Sequence, residues 1–524
     1  MQPTEESGQP HSASSAGGDF DQLPYPSMPF AYTQPGHLAA LATLYGLEPP
    51  PAHSARVLEL GCASGGNIIP LATRFPKANF VGIDLSLQHI RAGARRIEAL
   101  GLKNIELRHG DLAEAQFAPN TFDYLICHGV FSWVPRAVQD SILRICRTTL
   151  TAQGLAVVSY NVLPGWHLRS IVRDVCLRYV PSGGHPRERV AQARRVLADL
   201  AELTSETAPY GLFLRNEVKR LEQLPAAYVL GEFLSADNEP MHFRDFVAQI
   251  EQHQLRFLCE ADLGSSIGEM LYPVVADRIA AQAGTDPLAE EQFKDFVSGR
   301  PFRRSVLIND TNSHTAGQSA TAPDPTRLSL LHVACRLTQE PSVEEGRFIF
   351  RDARGRVITT KDSVVRDALV RLADAYPSSV RFDELSVENA LHDGDGGQRV
   401  CKAVFALIMA HQATVSTEPS RVGGAEDRNP KVSALTRLEA AARQPWLTSL
   451  THEPIPAGGV HRDLLAQLDG RRDRSALRAQ LVDWLRQGTL TSEAIKDAES
   501  LEVGAEQYLT RALKHLEINA LLEA

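Results

Sequence analysis

The stretch Glu59-Leu-Gly-Cys-Ala-Ser-Gly-Gly-Asn67 combines residue types that could hold a ligand. Gly61 and Gly65 let backbone N–H groups approach a bound molecule with no Cβ in the way. Glu59 places a carboxylate just before this turn, and Asn67 an amide just after it. Two further acids end the next two apolar runs, Asp84 in NFVGIDL and Asp111 in IELRHGD. Asp84 lies 25 residues beyond Glu59 and suits a carboxylate that accepts hydrogen bonds from ribose hydroxyls. A charge-assisted pair of that kind is worth about 1.5–3 kcal/mol. Asp111, or the backbone around it from Gly110 to Leu112, is placed to meet an adenine amino group. The plainer alternative is that Asp84 and Asp111 only cap helices.

A second group of residues follows the fourth and fifth apolar runs. His128, Gly129, Phe131, Ser132 and Trp133 come after FDYLIC, and Tyr160, Asn161, Trp166 and His167 come after GLAVVS. Tyr160 and Asn161 could orient a nucleophile through their oxygens. Trp133 and Trp166 could wall a pocket and hold a cation over their rings, or else simply pack neighbouring helices onto the sheet. His128 could act as a base, or sit as a satisfied histidine beside the ligand. Cys62 and Cys127 read as small apolar packing residues.

The elements that position these groups alternate. RVLELG is a strand, Gly65 to Phe75 a helix, and NFVGIDL a strand. Ser86 then caps a helix that Gly101 stops. IELRHGD, FDYLICHG and GLAVVSYN are further strands, with a helix over 139–147 between the last two. A βαβαβ order predicts a doubly wound, Rossmann-like α/β sheet whose ligands bind beyond the carboxyl ends of the strands. HFRDFVAQIEQHQLRFLCEADL and RPFRRSVLIND read as a helix with the sixth strand, and the seventh strand. The stretch between, about 163–240, reads as a helical insertion over the site. Upstream, YPSMPFAYTQPGH carries Tyr25 and Tyr32 ahead of a helix with Leu38, Leu41, Ala42 and Tyr45 on one face, and it reads as a lid.

The chain holds 54 basic and 63 acidic residues, a net charge of −9, which argues against a nucleic-acid or anionic-membrane partner. Its seven cysteines include no CxxC pair, which fits a reducing cytoplasm and no metal site. No apolar run reaches the length of a membrane span. The polar first 20 residues lack the apolar segment of a signal peptide and read as a disordered tail. No P-loop pattern is present. A carboxylate at position 59 would repel a dinucleotide's pyrophosphate but suits a cationic ligand.

These residues resemble the first motif of class I S-adenosylmethionine-dependent methyltransferases. HGVFSWVP, YNVLPGWH and FVSGRPFRRSVLI further resemble bacterial methyltransferases with a so-called regulatory domain. PKVSALTRLEAAARQ, LTHEPIP and LLAQLDGRRDRSAL resemble the C-terminal domain of rickettsial-type protein-lysine methyltransferases. The resemblance implies a seven-stranded methyltransferase sheet with S-adenosylmethionine held by Glu59, Gly61, Cys62, Ala63, Gly65, Asn67, Asp84, Leu85, Gly110, Asp111, Leu112, His128 and Gly129. It implies lysine side chains of a protein as acceptors, with Tyr160, Asn161, Trp133, Trp166 and His128 on the acceptor side. A small-molecule or peptide natural-product acceptor is the alternative, and a nucleic-acid-binding regulator is a third reading. The expected layout is a lid segment over 21–55, the methyltransferase domain over 56–310 with its regulatory segment at about 222–308, a linker over 311–326, and a mainly helical, winged-helix-like interaction or homodimer module over 327–524.

Overall fold

The computed structural model describes residues 22–264, 273–310, 322–385, 395–490 and 500–524. The expected tail and most of the expected linker lie outside these residues. Seven strands form one sheet: β1 (Arg56–Leu60), β2 (Asn79–Asp84), β3 (Ile105–His109), β4 (Phe122–Cys127), β5 (Leu150–Asn161), β6 (Leu255–Glu260) and β7 (Phe302–Asn309). Their order is β3-β2-β1-β4-β5-β7-β6. The first five pair in parallel, whereas β7 runs antiparallel to both neighbours and sets Tyr160 opposite Arg303 and Asn161 opposite Phe302. The chain order reverses between β1 and β4, so the carboxyl ends of these strands border the crevice where ligands of open α/β sheets bind.

Side-chain alternation along each strand fills two cores. Leu155 and Val157 face the side covered by α1 (Pro35–Leu44) and α2 (Ile68–Arg74). On that same side α3 (Leu87–Leu100) sets Gly93 against Leu107, whereas Ala156, Val158 and Tyr160 face the side covered by α4 (Arg136–Thr149) with later helices. In α3, Ser86 accepts the His89 N–H at the N-terminus, and Gly101 ends the helix at φ +65°. The insertion holds α5 (Gly165–Tyr179), α6 (Pro186–Leu203), α7 (Pro209–Gln223) and α8 (Ala226–Leu234), with a small core of its own. Then α9 (Phe243–Gln252) leads into β6, and α10 (Pro273–Ala283) and α11 (Pro287–Ser298) lead into β7.

The helix α1 departs from its expected role in a lid. Leu38, Leu41 and Ala42 pack on the sheet, while Ala40 and Leu44 enter a different core built by residues 328–415. Both faces are therefore buried, and α1 is a shared strut. Beyond Asp310 the side chains bury in two clusters, not one. The first gathers β8 (His332–Cys335), β9 (Leu337–Glu340), β10 (Phe348–Asp352), β11 (Val357–Thr360), α12 (Ser363–Ala375), β12 (Val380–Arg381), α13 (Gly396–Met409) and β13 (Ala413–Ser416). The second gathers α14 (Ala434–Ala441), the hairpin β14 (Trp446–Thr448) and β15 (Pro454–Pro456), α15 (Arg462–Gln467), α16 (Arg474–Gln487) and α17 (Leu501–Ile518). The expected linker also ends early, because Asp324 already caps a short 3-10 turn over Pro325–Leu330.

Candidate cofactor site at the glycine turn

The turn after β1 is tied to β2. The N–H groups of Gly61 and Cys62 donate to the Ile83 carbonyl at 2.8 and 3.1 Å. Asp84 accepts the Ala63 N–H at 2.8 Å and the Ser86 N–H at 2.9 Å, one on each carboxylate oxygen. Gly61 sits at φ +72°, and a Cβ there would lie 2.3 Å from Val130 Cγ2, so glycine is required on two counts. Gly65 has φ +75° for the same backbone reason. Ala63 takes φ +46° without being glycine, a strained conformation of a kind that clusters at ligand sites.

Glu59 is buried at the end of β1. Its Oε1 accepts from Asn67 Nδ2 at 2.8 Å, and its Oε2 is buried without a partner. Burial raises its carboxyl to about 8, against the Asn67 hydrogen bond that favours the charged form. A cationic ligand group beside Oε2 would supply the missing partner, so the residues fit a ligand with a positively charged end. Asp111 is exposed and accepts the Ala113 N–H, and Leu85 is also exposed, while Leu112 is buried. The Gly110 N–H donates to the Asp84 carbonyl. Cys62 and Cys127 are buried thiols, raised by loss of solvation.

The segment before α1 crosses this turn. Ser27 Oγ accepts the Gly66 N–H at 2.7 Å. Three donors converge on Asn67 Oδ1: the Phe30 N–H, the Thr33 hydroxyl and, from the far C-terminal part of the chain, His452 Nε2. Tyr32 Oη reaches the His128 ring at 2.7 Å, and Ser159 Oγ reaches the same Nδ1 at 3.0 Å while also accepting the Gly129 N–H. Burial and the nearby Arg304 lower His128 to about 3, so its ring is neutral. A neutral ring that already has two hydroxyl partners is poorly placed as a free base.

The acceptor-side residues separate. Tyr160 points away from the site: it stacks on Phe246 at 3.9 Å, and its hydroxyl pairs with Ser305 at 3.2 Å. Strand alternation is the reason, and Tyr160 is corrected to a core residue. Asn161, on the other face, binds Asn238 Oδ1 at 2.8 Å. Trp133 and Trp166 meet edge to face at 5.7 Å, with Arg173 and Arg169 lying 6.0 and 5.5 Å from their ring centroids. Trp166 is fully buried with its indole N–H unpartnered. Sequence reasoning missed Ser27, Ser159 and His452. The first two are single hydroxyls with no pattern around them. His452 lies in the LTHEPIP stretch, which carried a resemblance but no role.

Three family models match the chain: "Methyltransferase domain" at 57–154, "Predicted methyltransferase regulatory domain" at 225–309, and "PKMT, C-terminal winged helix domain" at 428–521. The last falls on the second C-terminal cluster. The fold and site thus define a class I S-adenosylmethionine-dependent methyltransferase, with S-adenosylmethionine as methyl donor. The protein RP789 of Rickettsia prowazekii is 28% identical over 522 residues, 96% of this chain and 93% of that one. RP028 of the same organism is 33% identical over 240 residues, 46% of this chain and 96% of that one. The structure of PKMT2 from Rickettsia typhi superposes with a TM-score of 0.82 at 25% identity, over 95% of this chain and all (100%) of that one, and another structure of PKMT2 holds AdoHcy. The chain belongs to the family of RP028, and it joins a methyltransferase domain to a methyltransferase regulatory domain and a C-terminal PKMT winged helix domain. Among the described residues no helix is long and apolar enough to cross a membrane, and no cluster of potential metal ligands occurs.

Proposed function

We propose that this chain methylates lysine side chains of a protein substrate. The observation that carries the reading is the likeness to PKMT2 across nearly the whole chain, including the C-terminal winged helix domain that a bare methyltransferase fold does not need. S-adenosylmethionine, when bound, supplies a methyl group on a cationic sulfur. Glu59 and Asp84, with Asp111 one strand further, are the acids assigned to it. Gly61, Ala63 and Gly65 give it close backbone approach, with Cys62, Leu85, Gly110, Leu112, His128 and Gly129 around it. Asn67 holds the Glu59 carboxylate in place. The Ser27–Tyr32 segment lies over the turn, in contact with Gly66 and Asn67.

An acceptor lysine must lose its proton before it can attack. Its reference pKa near 10.4 makes that cost about 4 kcal/mol at pH 7.4, and burial beside a cation lowers it. A dedicated strong base is therefore not required. Asn161, Trp133 and Trp166 are the residues assigned to the acceptor side. Glu232, raised by burial to about 7 and 3.8 Å from Arg169, lies on the inserted helices near them.

Incubation of the purified chain with methyl-labelled S-adenosylmethionine and a cell lysate tests the reading. Label in protein bands, released as methyl-lysine after acid hydrolysis, is expected. Label confined to the small-molecule fraction would overturn the lysine assignment in favour of a small-molecule acceptor.

A further inference from the structure

The LTHEPIP stretch supplies the tip of the β14–β15 hairpin and β15 itself, and that tip reaches the glycine turn from 385 residues away in sequence. Its geometry is tightly fixed. His452 is 3% exposed and sits at φ +64°, a left-handed conformation that a histidine holds only when its surroundings impose it. The His452 N–H donates to the Ser449 carbonyl at 3.0 Å, closing the tip. Two side chains of the methyltransferase half grip the same tip. Arg74, at the end of α2, donates to the Leu450 carbonyl at 2.9 Å and to Gln34 Oε1 at 2.7 Å, and Gln34 Nε2 donates to the Thr451 carbonyl at 3.0 Å.

What the tip delivers is one hydrogen bond, from His452 Nε2 to Asn67 Oδ1 at 2.8 Å. Together with the Phe30 N–H and the Thr33 hydroxyl, that bond holds Oδ1 away from Glu59 and so sets which end of the amide faces the carboxylate. With Oδ1 turned to its donors, Nδ2 must point at Glu59 Oε1, and the second carboxylate oxygen is left buried and unpartnered. The amide could not reverse without setting its NH2 group against the Phe30 N–H and losing the hydrogen bond that the present histidine tautomer donates.

We propose that His452 is a positioning residue of the cofactor site: from the winged helix domain it fixes the Asn67 amide and, through it, the Glu59 carboxylate. The cofactor site is then shared between two domains, and whatever moves the hairpin changes cofactor affinity. By linkage, cofactor binding changes the hold on the hairpin by the same factor. The proposal does not depend on which acceptor is methylated. It does rest on the assignment of Glu59 to the cofactor.

Calorimetric titration of the full-length chain with S-adenosylhomocysteine tests it, alongside thermal unfolding without ligand. His452→Ala is expected to raise the dissociation constant by about tenfold, the effect of one lost buried hydrogen bond, and the KM for S-adenosylmethionine by the same factor. His452→Gln, which keeps a donor at similar reach, is expected to recover most of the affinity. In an Asn67→Ala background the His452→Ala change should add little. Wild-type affinity in His452→Ala would overturn the proposal. So would equal weakening in the Ala and Gln variants with matching losses of melting temperature, because that pattern marks a purely structural role. Glu59→Gln separates the two assignments. If it binds as wild type does, the Glu59 assignment fails; if it weakens binding while His452→Ala does not, only the hairpin proposal fails.

Discussion

Tyr32 Oη lies 2.7 Å from Nδ1 of His128, and this contact joins the segment before the first helix to the carboxyl end of β4. Arg304 stands 4.5 Å from the Tyr32 ring centroid and is ion-paired with Asp262, so the tyrosine is held from both sides. Tyr32→Phe keeps the ring and removes the hydroxyl. The loss of one buried hydrogen bond costs about 1–3 kcal/mol. Calorimetry should show a melting temperature lower by a few degrees and weaker binding of S-adenosylmethionine. No change in either would mean that Tyr32 does not hold this segment over the site.

Glu59 should make stability fall with rising pH. Its folded value, about 8, exceeds the ordinary carboxyl value of 4.5, so between these limits the folded chain binds more protons than the unfolded chain. Stability without ligand therefore decreases from about pH 4.5 to 8 through this group, and Glu59→Gln removes that slope. Denaturant titrations at several pH values should show the variant gaining on the wild type as pH rises. A cationic ligand favours the charged carboxylate. Cofactor binding to the wild type below pH 8 should therefore release protons, seen as a buffer-dependent binding enthalpy that Glu59→Gln abolishes.

Gly66 is where the N-terminal segment touches the turn most closely. A Cβ at this position would lie 2.1 Å from the Ser27 carbonyl oxygen, a backbone atom that a rotamer change cannot move. Gly66→Ala should displace Ser27 and break its 2.7 Å hydrogen bond to the Gly66 N–H. Limited proteolysis should then cut within 22–34 faster than in the wild type, and cofactor affinity should fall. Equal cutting rates would show that the segment tolerates the methyl group.

Arg303 gives the regulatory segment a structural role. Fully buried, it pairs with Glu260 at 2.7 Å, Asp295 at 2.9 Å and Glu291 at 3.1 Å, and it lies 4.2 Å from the Phe243 ring centroid. Replacement by methionine leaves buried carboxylates without their cation, which costs about 3–5 kcal/mol. Urea unfolding should show a loss of that size. A loss below about 1 kcal/mol, the range of an exposed ion pair, would mean that water reaches this cluster.

The residues of the cofactor turn were legible because glycine and acid spacing is a local property. Glu59, Gly61 and Asp84 stand at consecutive strand ends whatever the rest of the chain does, and the sixth and seventh strands were legible from their apolar runs. Tyr160 and Asn161 were not separable by that means. They are adjacent, and only the strand's two-residue alternation in the assembled sheet turns one toward Phe246 and the other toward Asn238. The helix α1 showed one apolar face in its pattern, but its alanines are small enough for a second domain to cover the other side.

The sequence by itself determined the order of strands and helices, the glycine turn and the acids that follow it, since each depends on neighbours a few residues apart. The tertiary structure alone decided that Asn67 would take a hydrogen bond from His452, that His128 would be a neutral ring between two hydroxyls, and that the far end of the chain would fold into two cores. Such contacts join residues hundreds of positions apart. Their selection depends on the packing of whole domains, which no local spacing encodes.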